Sequence, residues 1–378
     1  MEKINPYLNN IAYYMLLIFA FALMISNALA ATLITLILLI WIAQTVAYRR
    51  LEWLDYPLFW PIAALIAYKT IVLLVSGYEG KFGAAFEQLS FPLIYFIVPT
   101  IVVTIERRSK VVWLFITGAV LVSGIGIIRY LLDITGRASS IISGVNTLSF
   151  FLTITLGFTL SYFIHLKKFA EKLFYGLVSV PIFACVVLTM TRSVYIVVAI
   201  YIFLLGIFKD RKLLVPIILL IPIVYSFMPG TLDKIQERLD FSNKKQFYSY
   251  RDVLFEHSMA KIDDVGFFGY GINSFPRVVD LESEPRLPKS MPSWHNMYIE
   301  YLFDGGPFAL LILLWILINQ TRYSFARYKK AKNDEQKVFQ LGILLLLICM
   351  VIVGLLDNPL SDQIVSMYFW TLLGMSVL

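Results

Sequence analysis

One histidine in this sequence is placed where it could act as a base. His295 is one of only three histidines, and it lies in SWHNMYIEYLFDGGP (293–307), where a long polar segment ends and an apolar run begins. Imidazole is the side chain best suited to take a proton from a hydroxyl group at neutral pH. The preceding Trp294 leaves a simpler interpretation open, because Trp is common at membrane interfaces and a neighbouring His could merely be interfacial.

Arg192 is a second candidate, because it is the only charged residue between Lys172 and Lys209. It stands in MTRSVY (190–195), at the turn of a predicted tight helical hairpin. An ionisable side chain in an apolar segment is costly to keep there and is a functional candidate by default. The alternative is a guanidinium group that reaches out to lipid headgroups.

Arg251 is a third candidate, in the segment FYSYRDVLFEHSMAKI (247–262). Ser249 with Asp252 matches a helix start signal, and at 100° per residue Arg251 falls in the middle of an apolar side, opposite Asp252 and Glu256. The residues on that apolar side are Phe247, Tyr250, Leu254, Phe255 and Ile262. A solvated arginine would prefer the acidic side, so the pattern favours a guanidinium group aimed into a cavity. An arginine whose aliphatic part covers apolar surface remains the alternative.

Weaker candidates accompany these three. Arg129 and Lys69 lie within predicted spans, and Asn296 directly follows His295. His165 is discounted because it is flanked by two lysines, and His257 is expected at the surface because it points about 120° away from Arg251.

Two acidic residues lie near the membrane, and several common functional motifs are absent from the sequence. Glu300 and Asp304 are expected to be solvated at a helix end. GYGINSFP (269–276) has no G-x-G-x-x-G and is expected to form a turn, so no dinucleotide site is predicted. The sequence contains no H-E-x-x-H, C-x-x-C or D-x-D motif. No metal and no cofactor are therefore predicted.

The composition indicates an integral membrane protein that must position these residues on helices. Of the 378 residues, 59% are hydrophobic and 15% are charged, and the mean hydropathy is +0.76. Soluble domains carry about 25% charged residues. The net charge of +7 comes from residues between apolar runs, which is typical of membrane orientation rather than of nucleic-acid binding. Cys185 and Cys349 lie within apolar runs and predict no disulfide.

Apolar runs of the length needed to cross a bilayer, about 20 residues, recur along the chain. We predict twelve transmembrane helices and an all-α fold. The runs are near 10–26, 28–47, 57–76, 91–105, 111–132, 146–165, 173–190, 193–208, 213–228, 296–319, 338–356 and 361–378.

The distribution of basic residues predicts the orientation of these helices. If the N-terminus is cytoplasmic, the cytoplasmic segments contain eighteen Lys or Arg, whereas the short external loops contain only Lys81 and Arg137. The positive-inside rule therefore predicts that both termini are cytoplasmic.

One external segment is much longer than the others, and it divides the chain into three parts. Residues 229–295 are polar but carry aromatic and aliphatic residues throughout, so we expect a folded, mostly helical loop. Helices one to nine would occupy 1–228, and helices ten to twelve would occupy 296–378.

In this arrangement Arg192, Arg251 and His295 all lie on the external side, near the bilayer surface. The guanidinium fork of arginine matches phosphate oxygens, and a departing diphosphate gathers negative charge that cations stabilise. A hydroxyl nucleophile needs a base. The three residues together suit group transfer from a lipid diphosphate to an alcohol without a metal.

Four segments resemble the O-antigen ligase and polymerase superfamily. They are TMTRSVYIV (189–197), YSYRDVLF (248–255), GYGINSF (269–275) and SWHNMYIEYLFDGGPFALL (293–311). Their order, with a large loop late in the chain and His-Asn at its end, is similar to that family. Pro307 follows Gly305–Gly306 where the family often has a longer aliphatic residue.

The resemblance implies a GT-C-type glycosyltransferase of the bacterial inner membrane whose active site faces the periplasm. The donor would be an undecaprenyl-pyrophosphate-linked glycan and the acceptor a sugar hydroxyl, with inverting, metal-independent transfer. Arg192 and Arg251 match the family's arginines, which would hold the pyrophosphate. His295 matches its proposed base.

Two kinds of alternative stay open at this stage. A ligase would transfer finished glycan to lipid A–core, whereas a polymerase would join repeat units; the loop pattern favours the ligase. Twelve spans with both termini inside are also common in transporters, but the repeats and paired broken helices expected of those are not found.

Overall fold

A computed structural model describes residues 6–49, 51–76, 89–141, 143–208, 250–291 and 293–378. This part of the chain is helical and confirms the predicted class, a polytopic all-α membrane protein. Its helices are α1 (Pro6–Ala22), α2 (Asn27–Tyr48), α3 (Phe59–Ser76), α4 (Ile94–Ile101), α5 (Ile105–Leu131), α6 (Val145–His165), α7 (Phe169–Leu188), α8 (Arg192–Phe208), α9 (Arg251–Lys261), α10 (Phe275–Val278), α11 (Met297–Lys330), α12 (Asp334–Gly354) and α13 (Gln363–Met375). The predicted span 213–228 and the loop segment 229–249 lie outside the described residues.

Seven of these helices are long and apolar enough to cross a membrane: α2, α3, α5, α6, α7, α11 and α12. Shorter apolar helices occupy Pro6–Ala22, Phe91–Ile101 and Arg192–Gly206. The predicted run near 361–378 forms α13, which has only 13 residues. At about 1.5 Å per residue, α13 is shorter than the hydrocarbon core of a bilayer, which is about 30 Å thick.

The short helices α4 and α13 are possible because neither faces lipid. They pack against each other, and nearly all of their side chains are buried among the longer helices. The longer neighbours span the bilayer, so α4 and α13 need only fill the interior of the bundle.

Side-chain caps define where several helices begin. The hydroxyl of Ser26 accepts the N–H of Leu29 at the start of α2, at the break predicted from Ser26–Asn27. Asn333 and Asp362 cap α12 and α13 in the same way. Each cap satisfies an N–H group that has no partner within its own helix.

Cross-helix contacts define the two ends of the bundle. At one end, the loop residue Arg277 donates to the carbonyl of Ser76, the last residue of α3. At the other end, Asn319 of α11 donates to the carbonyl of Pro57, which precedes α3. The end that carries α9, α10 and Arg277 is called the loop end below.

Helix α11 is broken by two glycines near its start. Gly306 has φ +70°, and a Cβ atom there would lie 2.1 Å from the carbonyl oxygen of Phe267. Only glycine tolerates this conformation and this close backbone approach. The helix then continues to Lys330, well beyond residue 319, where the predicted span ends.

The described part of the loop has its own small core. Val253 and Leu254 of α9 pack in one cluster with Trp294 and with Phe303 of α11. The same cluster contains Phe275, Val279 and Leu287. One apolar unit therefore supports the helix that begins with Arg251 and the residue that precedes His295. The division at residues 228 and 295 stays a prediction.

Candidate active site

His295 is fixed at the start of α11 by backbone and side-chain contacts. Its φ is +48°, a left-handed conformation that few non-glycine residues adopt. The side chain of the next residue, Asn296, accepts the N–H groups of Tyr298 and Ile299, both at 3.0 Å. The Nδ2 of Asn296 donates to the carbonyl of Leu355 at 2.9 Å. The segment that follows His295 is thus held both by its own helix and by the end of α12.

Asp357 is the direct partner of His295. The Nδ1 atom of His295 lies 3.1 Å from Oδ1 of Asp357, in a turn that follows α12. Both side chains are mostly buried, with 23% of His295 and 13% of Asp357 exposed. A carboxylate can only accept at this contact, so Nδ1 donates and the lone pair of the imidazole is left on Nε2.

Asp357 is itself held in its ionised form. Asn146 of α6 donates to Oδ2 at 2.8 Å, and the N–H of Asn358 donates to Oδ1 at 2.9 Å. Burial raises the pKa of Asp357, but the hydrogen bond and charge of His295 and the charge of Arg251 outweigh it, so the pKa is lowered overall. The sequence interpretation missed this residue. The signal available in the sequence was a carboxylate in a predicted external turn. This carboxylate comes next to His295 only in the folded chain.

Arg251 reaches the same turn from the loop. Its Nε donates to the carbonyl of Leu356 at 2.6 Å, and its charge acts on the carboxylate of Asp357. Burial lowers the pKa of Arg251, and Asp357 opposes that shift. Arginine keeps its charge under such shifts, so the guanidinium group remains a cation beside His295. The structure therefore brings Arg251 and His295 together on Leu356–Asp357.

Arg192 is placed at the same end of the bundle. Helices α8 and α12 pack side by side, and Tyr201 donates to the carbonyl of Leu345 at 2.7 Å. Arg192 is nine residues before Tyr201, and Gly354 is nine residues after Leu345. Nine residues of helix are about 14 Å long. Because the two helices run in opposite directions, Arg192 and Gly354 both lie about that far from the Tyr201–Leu345 contact, toward the loop end. Arg192 is thus level with the last residue of α12, just before Asp357.

Another arginine braces the turn that precedes Arg192. The Nε of Arg137 donates to the carbonyl of Thr189 at 2.6 Å, and its Nη2 donates to the hydroxyl of Thr191 at 3.0 Å. Arg129, in the last turn of α5, has a buried Nε without a hydrogen-bond partner in the described part of the chain. Positive charge therefore gathers where α5, α7 and α8 meet the loop end.

The other secondary candidates have clear surroundings. Lys69 is buried in α3, and its Nζ lies 4.6 Å from the ring centre of Tyr301. Asn296 is a helix cap. His165 lies at the opposite end, where its ring contacts the carbonyl of Ser161 and the hydroxyl of Tyr328.

The predicted apolar side of α9 is partly wrong. Phe255 is 54% exposed and Ile262 is 37% exposed, whereas the buried residues are Val253, Leu254 and Ser258. The loop core packs against the side of α9 that carries Val253 and Leu254. The 100° pattern alone did not indicate which side of the helix would face this core. Ser249 lies outside the described residues. N-terminal to α9, Tyr250 occupies the cap position in a left-handed conformation without a side-chain cap.

Trp294 differs from expectation, whereas His257 lies at the surface with a carboxylate partner. His257 is only partly exposed, and its Nε2 lies 2.8 Å from Oε2 of Glu284. Trp294 is 2% exposed and lies within the loop core, not at a lipid interface. The interfacial interpretation of the Trp–His pair is therefore wrong for the tryptophan.

The donor set at this site suits an anion. Guanidinium groups offer several N–H donors in a plane that matches phosphate oxygens. Within the described ranges, no three His, Cys, Asp or Glu side chains gather in a way that could hold a metal ion.

Part of the chain matches a known protein family. Residues 177–314 match the family model described as O-antigen ligase. The matched region runs from α7 into α11, and Arg192, Arg251 and His295 all fall within it. The match covers 138 of the 378 residues and supports a relationship of this region to the O-antigen ligase superfamily. Curated proteins provide no match to the chain.

Proposed function

We propose, on the basis of this superfamily relationship, that the protein is an O-antigen ligase. It transfers a glycan from undecaprenyl pyrophosphate to a sugar hydroxyl of lipid A–core, at the periplasmic face of the bacterial inner membrane. The observation that carries the proposal is the meeting of His295 and Arg251 on the turn Leu356–Asp357. A base and a phosphate-binding group are thereby within reach of one substrate.

Arg251 and Arg192 bind the pyrophosphate of the donor. The Nε of Arg251 is engaged with Leu356, which leaves the outer face of its guanidinium group for phosphate oxygens. Arg129, with its buried Nε, is a further cation available to the same anion. As the bond to the sugar breaks, negative charge accumulates on the diphosphate, and fixed cations stabilise it most at that stage.

His295 acts as the base for the acceptor. Its Nε2 takes the proton of the acceptor hydroxyl while Asp357 stabilises the resulting imidazolium. The acceptor oxygen attacks the anomeric carbon, the bond from that carbon to the diphosphate oxygen breaks, and undecaprenyl diphosphate leaves with the bonding electrons. Attack opposite the leaving group inverts the configuration of the anomeric carbon. The imidazolium then returns its proton to solvent.

An apolar groove below the site suits the polyprenyl chain. Helices α8, α11 and α12 enclose a groove of about 710 Å³ that is lined almost entirely by aliphatic and aromatic side chains. The part of the groove closest to the loop end is formed by Val351 and Ile352, about one turn before Leu355. A lipid in this groove would present its diphosphate to Arg251.

The basic residues support the periplasmic orientation. The end of the bundle opposite the site carries the Lys- and Arg-rich segments, such as the last turn of α11 with Arg327, Lys329 and Lys330. Cytoplasmic segments carry such an excess. Both termini are therefore proposed to be cytoplasmic.

Transfer by the purified full-length protein in lipid nanodiscs tests the proposal. The donor is undecaprenyl-pyrophosphate-linked glycan and the acceptor is lipid A–core. His295→Ala should reduce kcat by about 10²- to 10⁴-fold, which is the usual contribution of a general base. His165→Ala, at the opposite end, is the matched control. Transfer at the wild-type rate by His295→Ala would remove the base assignment.

A deletion strain separates the ligase from the polymerase alternative. Loss of a ligase leaves polymerised glycan on its carrier lipid, whereas loss of a polymerase leaves core capped by one repeat unit. The proposal requires the first result.

A further inference from the structure

Three ionisable side chains that the proposed mechanism does not use line one cavity in the bundle. Lys69 of α3 and Asp304 of α11 are 9% and 8% exposed, and with Glu300 they line a cavity of about 30 Å³. The expectation that Glu300 and Asp304 are solvated at a helix end is therefore wrong for Asp304. Ionisable residues are costly inside a membrane protein and are usually kept for a purpose.

Asp304 organises the backbone of the loop. Its Oδ1 accepts the N–H of Ser274 at 2.8 Å, and both residues are buried. The hydroxyl of Ser274 in turn accepts the Nε1–H of Trp294 at 3.1 Å. A buried polar group almost always has such a partner, because leaving it without one is costly.

Trp294 is also fixed by its ring. The ring centre lies 5.2 Å from that of Phe275 and 4.6 Å from that of Phe303. The indole N–H is the polar contact that sets how the ring sits among these neighbours, since apolar packing alone is not directional. Trp294 therefore has one preferred orientation.

His295 depends on this orientation because it follows directly in the chain. Its left-handed backbone persists only if both flanking residues are held. Asn296 is held by its cap bonds and by Leu355. On the other side, Trp294 is held by its hydrogen bond to the hydroxyl of Ser274, and Ser274 is held by its own bond to Asp304.

Lys69 supplies the positive charge for this cluster. Its charge acts on the carboxylates of both Glu300 and Asp304. The Oε2 atom of Glu300 is buried without a hydrogen-bond partner among the described residues. Without the cation of α3, the carboxylates of the buried Asp304 and the partly buried Glu300 would repel each other on one helix.

We propose that Asp304, with Lys69 as its counter-charge, is a positioning residue that sets the ring of His295 through Ser274 and Trp294. The inference rests on the proposed function, because it assigns a role in the same transfer reaction. Asp304 does not touch the substrate. Its effect is on the rate of the chemical step and not on donor binding.

A double-mutant cycle tests the contact between Ser274 and Trp294. Ser274→Ala removes the acceptor, and Trp294→Phe removes the donor while keeping an aromatic ring. In the nanodisc transfer assay, each should lower kcat by on the order of tenfold or more, with the donor KM within about twofold of wild type, because small misplacements of a catalytic group are costly. The double variant should lose no more than the larger single loss, because both changes break one bond. Trp315→Phe, on a lipid-facing tryptophan that is 45% exposed, is the matched control.

Variants at Asp304 and Lys69 test the contact between Asp304 and Ser274 and the role of Lys69 as its counter-charge. Asp304→Ala should lower kcat in the same way, and Asp304→Asn, which keeps an oxygen acceptor for Ser274, should recover part of the loss. Lys69→Met should lower kcat, and adding Asp304→Asn to it should restore some activity because one unbalanced charge is removed. Asp263→Asn, on an exposed loop carboxylate, is the control.

The possible results separate this inference from the proposed function. If His295→Ala transfers glycan normally, the proposed function loses its base whatever the other variants do. If His295→Ala is inactive but Ser274→Ala and Trp294→Phe keep the wild-type kcat per folded molecule, the positioning role is wrong. Independent, multiplying losses in the double variant would also overturn it.

Discussion

His295 and Asp357 contact each other at 3.1 Å although 62 residues separate them in the sequence. Helices α11 and α12 account for most of that separation, and their antiparallel packing returns the chain to its starting level. The carbonyl of the same aspartate accepts the N–H of Met297 at 3.1 Å, so backbone and side chain both tie this turn to the start of α11. The pair is therefore a product of the fold and not of a local motif.

Asp357→Asn is expected to slow transfer by about 10- to 100-fold with little change in the donor KM. The amide can present its N–H₂ to Nδ1, which would favour the tautomer that has no lone pair on Nε2, and it cannot stabilise an imidazolium by charge. Steady-state kinetics in nanodiscs measure both parameters. Asp280→Asn, an exposed loop residue, serves as the control, and an unchanged kcat would show that the carboxylate does not assist His295.

Arg251→Lys is expected to raise the donor KM by about tenfold or more. A lysine keeps the charge but has no fork, so it cannot hold the carbonyl of Leu356 and a phosphate in one plane. Arg192→Lys should also raise the donor KM, although the charge is kept, because the guanidinium fork is lost. The control is Arg322→Lys, an exposed residue at the opposite end of the bundle. If both site variants bind the donor as tightly as wild type, the phosphate assignment is wrong.

The loop should lose a stabilising contact in acid because of Glu284. Hydrogen bonds from Arg286 and His257 lower the pKa of this carboxyl group to about 2, from its ordinary value of 4.5. A lowered pKa in the folded state means that the contribution to stability is complete above about pH 4.5 and is lost as the pH falls toward 2. Protease sensitivity of the loop should therefore rise over that window.

Glu284→Gln provides the comparison for the acid effect. This variant should be more sensitive to protease at neutral pH, and its sensitivity should change less between pH 4.5 and 2. An identical pH response in wild type and variant would assign the acid effect to other groups.

Gly306→Ala is expected to destabilise the protein by at least about 2 kcal/mol. The new Cβ would meet the carbonyl of Phe267 and would force a left-handed backbone on alanine. Gly124→Ala is the matched control, because a Cβ placed there meets nothing within 4 Å apart from its chain neighbours and the nearby backbone of its own helix. Alanine is favoured over glycine in a helix, so the control should be neutral or slightly stabilising. Thermal unfolding in nanodiscs measures both, and equal melting temperatures would contradict the prediction.

Much of the helical arrangement was predictable because membrane spans have a simple signature. The breaks at Ser26–Asn27 and at the start of α11 follow from charge, hydropathy and capping residues. The length of α4 and α13 was not predictable, since a buried half-length helix and a lipid-facing span have the same composition. Only the packing of neighbours distinguishes them.

The candidate site was predictable in part. Arg251 and His295 are unusual in their local sequence, and the structure brings them together. Asp357 and Asn146 were not predicted, because each is an ordinary polar residue in a short segment between apolar runs. The role of Trp294 was misjudged for the same kind of reason: a tryptophan at a membrane boundary and one in a small loop core have the same local sequence.

The contact between His295 and Asp357 also orders events during biosynthesis. The imidazole emerges from the ribosome long before its carboxylate, which belongs to the turn between the last two helices. A nascent chain that ends before residue 357 therefore carries His295 without the carboxylate that contacts it in the folded protein.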